Sequence, residues 1–294
     1  MLPSSTEKII RMIDDFAVFI LTHGRPDRVH TYNRLIDDGY TGPIFIVIDN
    51  EDKLAREYGD RYGDKVIMFD KEEIAKTFDE GDNFGDRRAV IYARNACFGF
   101  AETLGYTYFL ELDDDYGSFS YTMDSYFRAI NGKEIKSLDE MFEKVLEYYK
   151  SIPAKSISWA QGGDFLGGLE NDIDEKLLQR RKCMNTFFCS TERPFQFIGR
   201  INEDVNTYTC YQSKGNLFMM FPLLRITQTG TQGNVGGMTE LYLDSGTYVK
   251  SFYTVMYHPS GVRVTVLNST HPRLHHQVSW NNTVPYIISE EYKK

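Results

Sequence analysis

The sequence is poor in the features that announce simple roles. It has no excess of positive charge: 33 Lys and Arg stand against 42 Asp and Glu, a formal net charge of −9 at pH 7. A protein whose only task is to coat nucleic acid is basic. The balance therefore argues against nonspecific coating, though not against an acidic enzyme with a local basic patch. The four cysteines, Cys97, Cys183, Cys189 and Cys210, form no C-x-x-C pair. That speaks against a structural zinc site and for reduced thiols in a cytosolic protein. No apolar run approaches the roughly 20 residues that span a bilayer, and Met1–Asp15 lacks the apolar core of a secretory signal. A soluble, cytoplasmic chain with no membrane partner is expected. Neither a Pro/Ser-rich linker nor an internal repeat divides it. One composite α/β domain over residues 1–294 is expected, with halves at 1–118 and 119–294.

Aromatic residues are abundant: 20 Tyr and 20 Phe in 294 residues. Most are needed to fill a large core, and some can line a cleft for sugars or bases. Phe16–Thr22 (FAVFILT), Ile44–Ile48 (IFIVI) and Lys65–Phe69 (KVIMF) read as buried parallel strands. Helical spacing between them runs from Pro26 to Asp38, stopped by Gly39 and Gly42, and again after Asp52. This βαβαβ rhythm predicts a Rossmann-type, mostly parallel sheet with helices on both faces. A helix is predicted over Asp86–Leu104, and then a strand, Tyr106–Leu112, runs straight into three aspartates. After the amphipathic helix Leu138–Tyr149 come short segments rich in Thr, Tyr and Phe: Ser156–Ala160, Thr186–Cys189, Asn216–Met220 and Val262–Val266. They predict a mixed second half built onto the first sheet. Gly-rich loops, Gln161–Gly168 and Thr229–Gly237, could wrap a substrate.

The segment FLELDDDYGSF carries the chemistry. Three acids in a row after an apolar strand cost electrostatic energy unless something neutralises them. Strand alternation would put Asp113 and Asp115 on one side and Asp114 on the other. Two carboxylates so spaced can share a divalent cation, and hard oxygen ligands favour Mg²⁺ or Mn²⁺. The site also falls at the carboxyl end of a parallel strand, where open α/β sheets bind ligands. The first strand ends at the same edge in Thr22-His23-Gly24-Arg25, and the second in Asp49-Asn50-Glu51. Asp49 and Asn50 suit a base or ribose. Arg25, Arg87, Arg88 and Arg94 suit phosphates, because guanidinium grips oxyanions bidentately. Arg87 and Arg88 are adjacent, so both cannot face inward.

This arrangement resembles the GT-A class of glycosyltransferases. The resemblance lies in FILTHGRPDRVHTYNRL, IFIVIDNED, ARNACFGFAETLGYTYFLELDDDY and GRINEDVNTY, covering roughly Phe16–Tyr208. It implies a donor half at residues 1–118, a catalytic and acceptor half at 119–294, and a nucleotide-sugar such as a UDP-sugar as donor. By that pattern Asp113 contacts the ribose or the metal, Asp115 contacts the metal, and Asp114 serves the donor or a neighbouring group. Glu203-Asp204 would be the later acidic pair, with Asp204 the general base. A C-terminal histidine would complete the metal shell: His276, His275 or His271.

More narrowly, HGRP, the R-N…L-D-D-D run, N-E-D and RLHHQVSWNN resemble the phage-type TET-associated glycosyltransferases. That resemblance implies 5-hydroxymethylcytosine in phage DNA as acceptor. The acidic balance offers no obvious DNA face, although QRRK at Gln179–Lys182 and the stretch Arg263–Arg273 could supply local positive charge. Two competing functions use parts of the same pattern. A nucleotidyltransferase needs a Gly-rich, Lys-bearing loop after the first strand, and HGRPDR lacks it. A noncatalytic sugar- or nucleotide-binding module would leave Glu203-Asp204 without a chemical role. A third possibility keeps the enzyme class and changes the acceptor to a glycan or protein; sugar identity and oligomeric state are not written in the sequence.

Overall fold

The computed structural model describes residues 15–82, 85–124, 129–161, 180–228, 249–267 and 272–284. The apolar runs form β1 (Phe16–Leu21), β2 (Ile44–Asp49), β3 (Val66–Phe69) and β4 (Tyr108–Asp113). They lie parallel in the order β3-β2-β1-β4. The intervening helices are α1 (His30–Asp37), α2 (Ala55–Tyr62), α3 (Lys71–Ala75) and α4 (Ile91–Leu104).

The second half extends the same sheet. It supplies β5 (Tyr116–Met123), β6 (Ala129–Glu134), α5 (Leu138–Ser151), β7 (Ala154–Ala160), β8 (Phe187–Ser190), α6 (Glu203–Gln212) and β9 (Leu217–Gln228). The full order is β3-β2-β1-β4-β8-β7-β9-β5-β6. β8 runs antiparallel to both β4 and β7, and β9 is parallel to β7. The boundary expected at residue 118 falls inside β5, which pairs with β9 and β6. A separate hairpin joins β10 (Val262–Leu267) to β11 (Arg273–Val278). The stretch after it docks on the body, where Trp280 stacks on Tyr208 of α6 at 6.0 Å.

Alternation along β1 divides the core. Phe16, Val18 and Ile20 enter one apolar cluster with Phe142 and Leu146 of α5 and Tyr58 of α2. Ala17, Phe19 and Leu21 enter the other, with Ile91 and Cys97 of α4 and Val205 and Tyr208 of α6. Both faces are covered, which is why β1 reads as one unbroken apolar run. Each fully buried side chain of this kind contributes roughly 1.5–3 kcal/mol, so the sheet edge is a rigid platform. All four cysteines are buried and free. Among the described residues, no helix is long and apolar enough to cross a membrane.

Two helices start later than the sequence predicts. α4 begins at Ile91 rather than Asp86 because the Asp86 carboxylate accepts the Arg88 N–H at 3.1 Å and bends the chain into a local turn. α1 begins at His30 rather than near Pro26, since residues 25–28 close a turn of their own, Arg28 N–H to the Arg25 carbonyl at 3.0 Å. α4 ends at Gly105, whose φ of 80° is the left-handed cap that glycine adopts without strain.

Candidate active site at the carboxyl edge of the sheet

Asp113 is the last residue of β4 and pairs in register with Leu21 of β1. Asp114 and Asp115 lie in the turn to β5, so strand alternation ceases to govern direction after Asp113. Thr31 of α1 pins this turn. Its Oγ1 donates to the Asp113 carbonyl at 2.6 Å and accepts the Tyr116 N–H at 3.0 Å, and its own N–H reaches the Asp114 carbonyl at 3.1 Å. Asp114 is 1% exposed. Its Oδ2 accepts from Thr22 Oγ1 at 2.6 Å and faces Arg25 Nε at 3.0 Å. Thr22 and Asp114, both expected at the donor, thus hold each other. Asp115 is half-buried, and its carboxyl is pushed up to about 7 by burial and then by the charges of Asp113 and Asp114. The turn carries more negative charge than its surroundings balance.

The end of β2 forms a second polar cluster. Asp49 Oδ2 accepts from His23 Nδ1 at 2.7 Å, and its Oδ1 pairs with Lys71 Nζ at 2.9 Å. Burial pushes the Asp49 carboxyl up, but the bonds from His23 and Lys71 outweigh it and hold the group below the usual carboxylate range. Asn50 braces the start of α3: its Oδ1 accepts the Lys71 N–H at 3.0 Å and its Nδ2 donates to Asp70, the helix N-cap, at 3.0 Å. Asp52 Oδ2 accepts the Gly24 N–H at 2.7 Å and so fixes the loop after β1. Nothing local in the sequence marks Lys71 and Asp52 among neighbouring charges.

Arg94 and Arg88 part company. Arg88 is exposed and forks onto Asp86, at 3.0 and 2.8 Å. Arg94 lies inside α4's buried face, 1% exposed. Its guanidinium reaches Asp113 Oδ1 at 3.1 Å, Glu203 Oε1 at 3.2 Å and Glu111 Oε2 at 3.5 Å. Glu111 was missed in the sequence, yet a glutamate inside an apolar strand is a signal, because a buried acid demands a partner. Burial pushes its carboxyl up to about 8 despite Arg94. Glu203 also rises, through burial first and then the charge of Asp204.

Asn202 places Glu203 and Asp204. It sits in the left-handed region at φ 55° and starts α6, whose first turn carries both acids. Acids are stabilised at that end by the helix dipole. Asp204 is half-buried, and its Oδ1 accepts the Val205 N–H at 2.7 Å. Both acids and Asp113 border one cavity of about 350 Å³. His275 and His276, on β11, border it as well, together with Lys182, Lys250 and Arg273. His271, Gly162–Gly168 and Thr229–Gly237 lie outside the described residues. Among the described residues, no three His, Cys, Asp or Glu side chains stand ready to hold a metal by themselves.

A family model described as TET-associated glycosyltransferase matches residues 16–237. No curated protein matches the chain. Among solved structures, a mycobacterial protein aligns at 10% identity and TM-score 0.48, over 95% of this chain and 89% of that one. Glucosyl-3-phosphoglycerate synthase from Mycobacterium tuberculosis, in complex with Mg²⁺ and uridine diphosphate, aligns at 12% identity and TM-score 0.45, over 90% and 87%. TarS of S. aureus aligns at 11% identity and TM-score 0.43, over 73% of this chain and 36% of that one. The family match takes in every strand of the nine-stranded sheet, the three aspartates and the Glu203-Asp204 pair, and the chain belongs to the TET-associated glycosyltransferase family.

Proposed function

We propose that this chain moves a sugar from a UDP-sugar to a hydroxyl, and that the acceptor is 5-hydroxymethylcytosine in phage DNA. One observation carries the reading: Asp113, Glu203 and Asp204 border the same cavity of about 350 Å³. Direct transfer needs the donor acid and the acceptor acid to face one space. Family membership supports the DNA acceptor.

In this reading the acceptor hydroxyl oxygen attacks the anomeric carbon as the bond to the diphosphate breaks, and UDP leaves. Asp204 takes the hydroxyl proton, and the Val205 N–H fixes its orientation. A base opposite the leaving group makes this an inverting displacement. Glu203 is held in place by Arg94. Asp49, with Asn50 beside it, faces the base or ribose, while Thr22 and Asp114 brace the turn that presents Asp113 and Asp115. Arg25 stands behind Asp114, at the phosphate end.

Asp113 and Asp115 fit a hard divalent cation, Mn²⁺ or Mg²⁺. Asp115 is crowded by like charge, and two carboxylates completed by diphosphate oxygens and water are the usual set for such an ion. When bound, the ion would offset negative charge on the departing diphosphate. The setting is the cytoplasm, where four free cysteines stay reduced.

The test is mass spectrometry of hydroxymethylcytosine duplex DNA incubated with UDP-sugars and Mn²⁺. The cytosine should gain one sugar mass, and Asp204→Ala and Asp115→Asn should abolish the gain. Near-normal turnover by Asp204→Ala removes it as base. UDP release only with a glycan or protein acceptor moves the reaction there, and a nucleotide left on the acceptor makes the enzyme a nucleotidyltransferase.

A further inference from the structure

The sugar-transfer reading uses the acidic side of the cavity. The other side is set by one buried imidazole. His276 is 5% exposed and lines the cavity from β11. Its Nδ1 faces the Asn202 side-chain amide at 3.4 Å. The orientation of that amide is fixed, because Asn202 Nδ2 lies 2.7 Å from the Lys250 carbonyl oxygen, and a carbonyl only accepts. The second hydrogen of that NH₂ group is shared between Thr254 Oγ1 and His276 Nδ1, each at 3.4 Å, and because an amide NH₂ only donates, Nδ1 meets it with its lone pair. A neutral imidazole with Nδ1 as acceptor carries its proton on Nε2. Nε2 has no hydrogen-bond partner among the described residues. A buried N–H left without an acceptor is costly, so the position suits an oxygen that arrives with a ligand.

The neighbours decide what kind of oxygen. Lys182, Lys250 and Arg273 border the same cavity beside His275 and His276. Burial lowers both imidazoles below the usual value, helped at His275 by Lys182, Arg273 and Lys250 and at His276 by His275, Lys182 and Lys250. Lys250 also faces Asp204 and Glu203, across the boundary to the acidic side. A divalent cation on His276 Nε2 would displace its proton and meet these like charges. A phosphate oxygen would meet an N–H and three cations.

We propose that His276, Lys182, Lys250 and Arg273 form a phosphate site in which His276 donates its Nε2–H to a phosphate oxygen and is not a metal ligand. The phosphate has two possible sources, the donor diphosphate and the phosphodiester of the DNA acceptor. The choice of substrates rests on the sugar-transfer reading; the geometry does not.

The experiment uses the full chain, metal-free in EDTA, with calorimetry of UDP, uridine and hydroxymethylcytosine duplex. Wild type is compared with His276→Ala, His276→Gln and Arg273→Ala, and Mn²⁺ binding to each is measured separately by electron paramagnetic resonance. His276→Ala and Arg273→Ala should each weaken UDP or duplex binding by roughly tenfold, with uridine and Mn²⁺ binding unchanged. His276→Gln, whose amide N–H donates from a similar position, should recover most of the loss. Loss with UDP places the donor diphosphate in the site, and loss with duplex places the acceptor phosphate there. Unchanged UDP and duplex affinity, or Mn²⁺ affinity that falls in His276→Ala, overturns the proposal. Should His276→Ala fail to fold by thermal melting, His276→Gln and the exposed-site variant Arg273→Ala decide the same questions: Arg273→Ala must lose phosphate affinity, and His276→Gln must leave Mn²⁺ binding intact. If wild type transfers no sugar but the affinities behave as expected, the transfer reading fails and the site stands. If wild type transfers sugar and the affinities do not move, the site fails and that reading stands.

Discussion

Arg94 joins Asp113 to Glu203: its Nη2 lies 3.1 Å from the first and its Nε 3.2 Å from the second. One guanidinium thus links the end of β4 to the start of α6, and its plane rests over the Phe187 ring at 4.9 Å. Asp113, Glu203 and Glu111 oppose desolvation and hold its pKa above the usual arginine value.

Arg94→Met should therefore leave buried Glu111 and Glu203 and half-buried Asp113 without their shared cation and cost about 3–5 kcal/mol. Arg94→Lys should recover only part of this, because an ammonium is a point charge and cannot fork. Urea unfolding of the two variants beside wild type checks both. A loss under about 1 kcal/mol in Arg94→Met would mean the network is dispensable.

The His23–Asp49 bond gives a pH dependence. The hydrogen bond to Asp49 raises the His23 pKa above 6.5 against the pull of burial. Its contribution to stability is full below 6.5 and is lost as pH rises through the higher folded value. The depressed Asp49 carboxyl acts in the opposite sense: its contribution is present above 3.8 and is lost as pH falls through the lower folded value. The His23 side chain is 48% exposed, so its share should stay under about 1 kcal/mol. Asp49→Asn should bring His23 back down in an NMR titration. It should also destabilise by about 2–3 kcal/mol, because buried Lys71 loses its 2.9 Å partner and keeps only the longer contact to Glu51 at 3.7 Å.

Asp114 should behave as a structural acid. Asp114→Asn weakens its contact with Arg25 and its bond from Thr22, and should cost about 2 kcal/mol. Thr22→Val removes two bonds, the one to Asp114 and the one with the Tyr58 hydroxyl at 2.9 Å, and should cost about 1–2 kcal/mol. Thermal melts rank the pair, and a stable Asp114→Asn that has lost only UDP affinity would return Asp114 to the donor.

Gly199 controls the approach to α6. Its φ is +78°, and a Cβ there would lie 2.4 Å from Asn206 Nδ2 and 2.5 Å from Tyr257. Gly199→Ala should cost about 2 kcal/mol or more and lower sugar transfer with it, since Asn206 lies one turn from Glu203. A melt together with the DNA mass assay reads both effects.

The sequence by itself determined the platform. β1 and β2 were legible because a strand covered on both faces is an unbroken apolar run, β3 and β4 because their apolar stretches survive at the sheet edge and around Glu111, and α5 because its apolar residues recur at helical spacing. The same runs placed the ends of β1, β2 and β4 at one edge, and so the three aspartates beside Thr22 and Asp49. Only the tertiary structure decided how these groups are used. The insertion of β8 between β4 and β7 is a long-range pairing that no local pattern records. Arg94 looked like a phosphate ligand and is buried among carboxylates, because the side of α4 that faces inward is set by packing on the sheet. Asp114 turned toward Thr22 and Arg25 because the chain leaves the strand after Asp113. His276 became a proton donor among cations only when β11 brought it against Asn202, 74 residues away in sequence. Burial and charge neighbours belong to the fold, and they set the chemistry of residues whose identity the sequence supplies.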